Sequence, residues 1–121
     1  MKLFVYGSLK RKERLNPCLE DSLFLGVGKI KGILFDLGAY PAAIEKMTDR
    51  LIEGEIYEVS DRVLRNLDQI EGNPNYYIRK LVKEEISSEK VWVYFMPNKN
   101  LPCRAKLLFK GVWKSATLSG S

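Results

Sequence analysis

Histidine is absent from this 121-residue chain, and cysteine occurs only twice, at Cys18 and Cys103. The first absence removes every imidazole base, so Ser-His-Asp triads, Cys-His pairs and histidine-bearing zinc sites are excluded by inventory. Two thiols 85 positions apart fit no metal-ligand spacing and read as small, buried hydrophobes rather than as a disulfide staple. Long apolar runs are also missing: VWVYFM at 91–96 falls far short of a bilayer span. Met1-Lys2-Leu3 opens without the charged-then-apolar pattern of a signal peptide, so a cytoplasmic protein with no membrane partner is expected. One domain over 1–121 follows from the length and from the lack of repeats, low-complexity tracts or linkers; Leu118-Ser119-Gly120-Ser121 reads as a loose tail. Proton transfers, if the protein performs any, fall to carboxylates, lysine, tyrosine or cysteine.

Acidic residues run out toward the C-terminus. Residues 1–89 hold 14 basic and all 15 acidic side chains, whereas 90–121 hold six basic and none acidic, which makes 98–121 a basic segment. Lys99, Arg104, Lys106, Lys110 and Lys114 interleave with Phe109 and Trp113, a composition seen where single strands are held by stacking and phosphate contacts. The spacing matches no RNA-binding signature, so a solvated basic face over an apolar anchor is the better reading, and nucleic acid is not expected as a partner.

Among the residues present, the pattern is mostly β. Lys2 to Tyr6 is a β-rich run, LKRKERLNP is a polar loop or short helix ending at Pro17, and LFLGVGKIKGILF at 23–35 is strand interrupted by three glycines, hence bulged or turned. Turn chemistry occupies 36–47 around Gly38 and Tyr40-Pro41. From Arg50 to Val59 the chain alternates, with Ile52, Gly54 and Ile56 on one side. Ser60 then offers an N-cap, and Val63, Leu64, Leu67 and Ile70 recur at helical spacing for about three turns. Gly72 suits a left-handed cap and Pro74 forbids continuation. Two more strands follow, 76–86 and 90–96, the second apolar on both faces and therefore central. The class is α+β.

Gly26-Val27-Gly28-Lys29-Ile30-Lys31-Gly32 imitates a nucleotide loop, but its third glycine is one residue late for the dinucleotide fingerprint and a strand follows it. Glu71 remains as an acid-base candidate. Residues 63, 67, 70 and 71 share one broad helical face, so a carboxylate at 71 can point inward, where desolvation and the negative helix end would raise its pKa toward the range useful for proton shuttling; on these residues alone an exposed terminal glutamate is the commoner outcome.

The blocks FVYGSL at 4–9, GAYP at 38–41, EGEIYEV at 53–59, LDQIEG at 67–72, YYIR at 76–79 and VWVY at 91–94 together resemble the gamma-glutamylcyclotransferase-like family, in order and across about residues 3–97. That resemblance implies a small mixed β-barrel flanked by short helices, and a reaction in which the alpha-amine of a small gamma-glutamyl substrate attacks its own gamma-carbonyl, releasing 5-oxoproline and an amine or amino acid. It assigns the catalytic carboxylate to Glu71 and the loop that holds the glutamyl half to Tyr6, Gly7, Ser8 and Leu9; Tyr94 is a candidate hydroxyl in the pocket. No metal and no other cofactor is implied, because the attack is intramolecular. Tyr40, Tyr76 or Tyr77 could read the leaving group, and Arg79 is expected to tie strands together through Asp68 or another acid. Three alternatives stay open: Ser8 as a nucleophile with Lys10 as base, the same scaffold acting on a different acyl substrate, and a non-catalytic module that binds an acidic partner through 98–121.

Overall fold

Leu3, Phe4 and Val5 are all buried, which only a strand covered on both faces can achieve, and they form the middle of the protein. In a computed structural model, which describes residues 1–115, this first strand (β1, Lys2–Val5) is followed by β2 (Leu23–Lys31), β3 (Ile33–Asp36), β4 (Pro41–Ile44), β5 (Leu51–Glu58), helix α1 (Asp61–Ile70), β6 (Ile78–Lys83), β7 (Lys90–Phe95) and β8 (Lys106–Leu107). The stretch 118–121, read from the sequence as a loose tail, lies outside the described residues. Five strands form one mixed sheet in the order β2-β5-β1-β7-β6, in which only β1 and β7 run parallel; β4-β3-β8 form a second, antiparallel sheet.

The α+β class stands. The sheets do not close into a true barrel, and among the described residues a single α-helix accompanies them, with two short 3-10 turns at Asn16–Leu19 and Asn98–Asn100. Instead of a ladder between the outer strands β2 and β6, one side chain makes the seam. Glu84, fully buried just after β6, accepts from the Lys29 N–H of β2 at 2.7 Å, from the Ile86 and Ser87 N–H groups and from the Ser87 hydroxyl, while the Glu85 N–H donates to the Lys29 carbonyl. Burial pushes the Glu84 carboxyl up, but these hydrogen bonds outweigh it and hold the group below its ordinary value.

The sheet separates two apolar clusters, and the period of two along β1 decides which residue goes where. Leu3 and Val5 pack with Leu64, Leu67 and Met96 under α1, whereas Phe4 packs with Ile30, Leu34, Ile52 and Val93 toward the second sheet. Trp113 closes the second cluster, nearly fully buried, with its indole N–H donating to Asp36 at 3.1 Å. The basic segment, as far as 115, is thus anchored by an apolar residue and contributes β8. Strand β7 lies between β1 and β6, as its two apolar faces require.

Two local expectations differ from the structure in extent. The bulge falls between Phe24 and Gly26, inside the long run, and Gly32 separates β2 from β3. The turn-rich stretch 36–47 also contains a strand, β4, whose four residues are all buried; Pro41 sits at its first position, where a missing N–H costs the ladder least. Among the described residues no helix is long and apolar enough to cross a membrane.

Candidate active site

Where β1 ends, the chain turns sharply over one end of the sheet. The Lys10 N–H donates to the Gly7 carbonyl at 3.0 Å, and the Leu15 N–H donates to the Ser8 carbonyl at 2.8 Å, so 7–15 folds into a tight loop. Glycine at 7 is required by close approach: a Cβ there would lie 2.5 Å from Pro41 Cγ at the start of β4. Among the described residues, none accepts a hydrogen bond from the Ser8 or Leu9 N–H.

On the other side stands the end of α1. Ser60 Oγ accepts from the Val63 N–H at 3.1 Å and starts the helix; Gly72, at φ +66°, ends it. The Asn73 N–H reaches the Asp68 carbonyl and the Gly72 N–H the Gln69 carbonyl, the paired bonds of a Schellman cap. Glu71 is the capping residue, so its backbone is fixed.

Between loop and helix end lies a cavity of about 390 Å³. Its wall includes Tyr6, Gly7, Ser8, Leu9, Glu71 and Tyr94, so all six residues singled out in the sequence come together there, as do Tyr40, Tyr76 and Tyr77. Arg14, Leu15 and Ile70 also line it and were not anticipated; Arg14 lies in the stretch read as a polar loop or short helix. Glu71 is the single acid in the wall. It is half-buried, no described residue hydrogen-bonds its carboxylate, and burial alone pushes its pKa from 4.5 up to about 7.

The tyrosines of the wall are otherwise engaged. The Tyr6 hydroxyl donates to the Tyr94 carbonyl at 2.5 Å and accepts from the Ala43 N–H at 3.2 Å; Tyr77 donates to the Pro41 carbonyl at 2.8 Å. Tyr94 donates to Asp68 Oδ1 at 2.7 Å, and Asp68 is gripped by Arg79 through Nε at 2.8 Å and Nη2 at 3.0 Å, with the guanidinium 4.3 Å above the Trp92 ring. Arg79 therefore pairs with Asp68, the acid expected, but the tie joins strand β6 to helix α1 and not strand to strand. Burial pushes the Asp68 carboxyl up, yet the hydrogen bonds from Arg79 and Tyr94 prevail and leave it below its ordinary value. Tyr40 and Tyr76 share a hydrogen bond of 2.6 Å between their hydroxyls at the mouth. Lys10 Nζ donates to the Trp113 carbonyl at 2.6 Å and is not part of the wall, so it does not accompany Ser8 there. Among the described residues no three His, Cys, Asp or Glu side chains gather as metal ligands.

A half-buried carboxylate and a loop with unpaired backbone amides thus line one cavity of this α+β fold. The family model described as "Gamma-glutamyl cyclotransferase, AIG2-like" matches residues 3–115, and the chain belongs to that family. A protein of Methanocaldococcus jannaschii provisionally named a gamma-glutamylcyclotransferase is 41% identical over 101 residues, 78% of this chain and 83% of that protein. The gamma-glutamylcyclotransferase family protein YtfP of Escherichia coli K12 is 31% identical over 114 residues, 93% of this chain and 96% of its own length. The solution structure of Escherichia coli YtfP has a TM-score of 0.71 at 29% identity, covering 93% of this chain and 96% of that one. The crystal structure of a mouse AIG2-like protein shares the fold, with a TM-score of 0.79 at 24% identity over 98% of this chain and 91% of that one.

Proposed function

We propose that this protein is a gamma-glutamyl cyclotransferase-type enzyme in which Glu71 moves the protons. The observation that carries the reading is the state of Glu71: a lone carboxylate in the cavity, unpaired, with a pKa raised to about 7, where a group both accepts and returns a proton readily near neutral pH. The substrate's alpha-amine nitrogen attacks the gamma-carbonyl carbon and forms the C–N bond of a five-membered lactam. Glu71 takes the proton that the attacking nitrogen must lose. The C–N bond to the leaving group then breaks, and the same carboxyl returns the proton to the departing nitrogen, so 5-oxoproline and a neutral amine leave with no net change at the enzyme.

Backbone N–H groups at Ser8 and Leu9 support the same reading, since they are free to receive the substrate's carboxylate or the carbonyl oxygen as it gains charge. Both reacting groups belong to one molecule, so holding it folded supplies much of the rate advantage, and the apolar and tyrosine-lined wall suits that task.

The test is release of 5-oxoproline and amine from a panel of gamma-glutamyl amino acids and gamma-glutamyl amines, run on wild type and Glu71→Gln. Equimolar products from wild type and none above background from the variant are expected. Undiminished turnover by Glu71→Gln would remove the glutamate from the mechanism. A folded wild type that converts nothing on the panel would point to a different acyl substrate on the same scaffold.

A further inference from the structure

The departing half of the substrate has so far no recognition element, and one side chain in the cavity wall has no role. Arg14 is the single cation among the lining residues. Its backbone is fixed from both sides: Glu13 before it is buried and donates its N–H to the Lys10 carbonyl, and Leu15 after it is bonded to the Ser8 carbonyl at 2.8 Å. Arg14 is thereby held beside the loop while its side chain stays exposed at the cavity.

Among the described residues no acid pairs with this guanidinium; Arg50, Arg62 and Arg104 have no acid partner either, and what sets Arg14 apart is its place in the cavity wall. Glu71 is not its partner either, since no ion pair or hydrogen bond joins the two. A planar fork of N–H donors on a cavity rim fits a carboxylate or a phosphate, and of these the leaving half of a gamma-glutamyl amino acid or peptide offers a carboxylate. The glutamyl half already has the Ser8 and Leu9 N–H groups available to it.

Building on the cyclotransferase reading of this cavity, we infer that Arg14 binds a carboxylate on the leaving half of the substrate, which makes gamma-glutamyl amino acids and peptides, rather than gamma-glutamyl alkylamines, the preferred class.

Gamma-glutamyl-alanine and gamma-glutamyl-ethylamide form a matched pair of probes, differing only by the carboxylate on the leaving half. Calorimetric binding to Glu71→Gln measures affinity without turnover. The alanine compound should bind about tenfold more tightly than the ethylamide, a ratio that falls to about one when Arg14→Gln is added and is partly restored by Arg14→Lys. In otherwise wild-type enzyme, Arg14→Gln should raise KM for the alanine compound by a similar factor with kcat little changed. Equal binding of the two probes overturns the inference, as does failure of the alanine compound to bind, or an equal loss of both in Arg14→Gln, which would assign Arg14 to the glutamyl half or to the fold. If the carboxylate preference and its loss are seen but wild type releases no 5-oxoproline, the inference stands and the cyclotransferase reading falls.

Discussion

Replacing Glu71 by glutamine should stabilise the fold while it removes turnover, and the stabilisation should appear only as the pH rises. With a folded pKa of about 7 against an ordinary 4.5, the native state keeps a proton that the unfolded chain has already lost between those values. Stability therefore falls as pH rises through that window, and the penalty is complete above about pH 7. At about 1.4 kcal/mol per pH unit, the gap is worth at most about 3 kcal/mol, and solvent around a half-buried side chain reduces it to about 2 kcal/mol. Glutamine has the same shape and stays neutral, so it escapes the penalty. For a domain of this size about 2 kcal/mol corresponds to a Tm roughly 6–10 °C above wild type at pH 8, shrinking to about 1–2 °C at pH 4.5. Thermal unfolding of both proteins across that range is the assay. A variant less stable than wild type at pH 8, or a difference that does not change with pH, would mean that Glu71 is a hydrogen-bonded structural carboxylate, and the argument for it as the base would fail.

The same carboxylate sets the direction of the pH–rate profile: kcat/KM on a gamma-glutamyl substrate should rise through about pH 7 as Glu71 ionises, and a profile that falls there would contradict the base role. Gly7→Ala brings a Cβ within 2.5 Å of Pro41 Cγ, so loop and β4 must separate; we expect about 1–3 kcal/mol of lost stability in urea unfolding together with a raised KM, since both elements line the cavity. Glu84→Ala strands four donors at the seam between β2 and the β6–β7 turn and should lose about 3 kcal/mol or more, with hydrogen exchange at the Lys29 amide accelerating toward the global rate.

What was legible in the sequence was carried by strong local chemistry. Ser60 as a cap, the stripe of Val63, Leu64 and Leu67, and Gly72 in its left-handed conformation define α1 without any tertiary information, and they place Glu71 at its end. Alternation in 50–59 likewise fixed which face of β5 is buried. Strand β4 escaped because Pro-Ala-Ala-Ile has no alternation to show: all four residues are covered by other elements, a fact of packing and not of the segment. The open seam escaped for a similar reason, since nothing local distinguishes Glu84 from the exposed-looking acid beside it; only the meeting of two strands distant in sequence makes it buried. Arg14 was hidden by composition. In a run of Lys-Arg-Lys-Glu-Arg, the member that lines the cavity is selected by the bonds from Leu15 to Ser8 and from Glu13 to Lys10.

The division of labour inside the cavity follows from which polar groups are paired. Buried hydroxyls normally find partners, and Tyr6, Tyr77 and Tyr94 all do, on the Tyr94 carbonyl, the Pro41 carbonyl and Asp68. Burial foremost, with the nearby Glu71 charge acting in the same sense, pushes these three phenols upward, so they stay protonated and act as fixed, neutral wall. That wall desolvates Glu71 and, with its hydroxyls turned to other acceptors, gives its carboxylate no hydrogen bond to offset the burial. The raised pKa is thus produced by burial, with no hydrogen bond from the tyrosines to offset it. Among the described residues of the wall, Glu71, the Ser8 and Leu9 amides, the Ser8 hydroxyl and Arg14 are left unpaired, and these have the capacity to bind something that the protein itself does not contain.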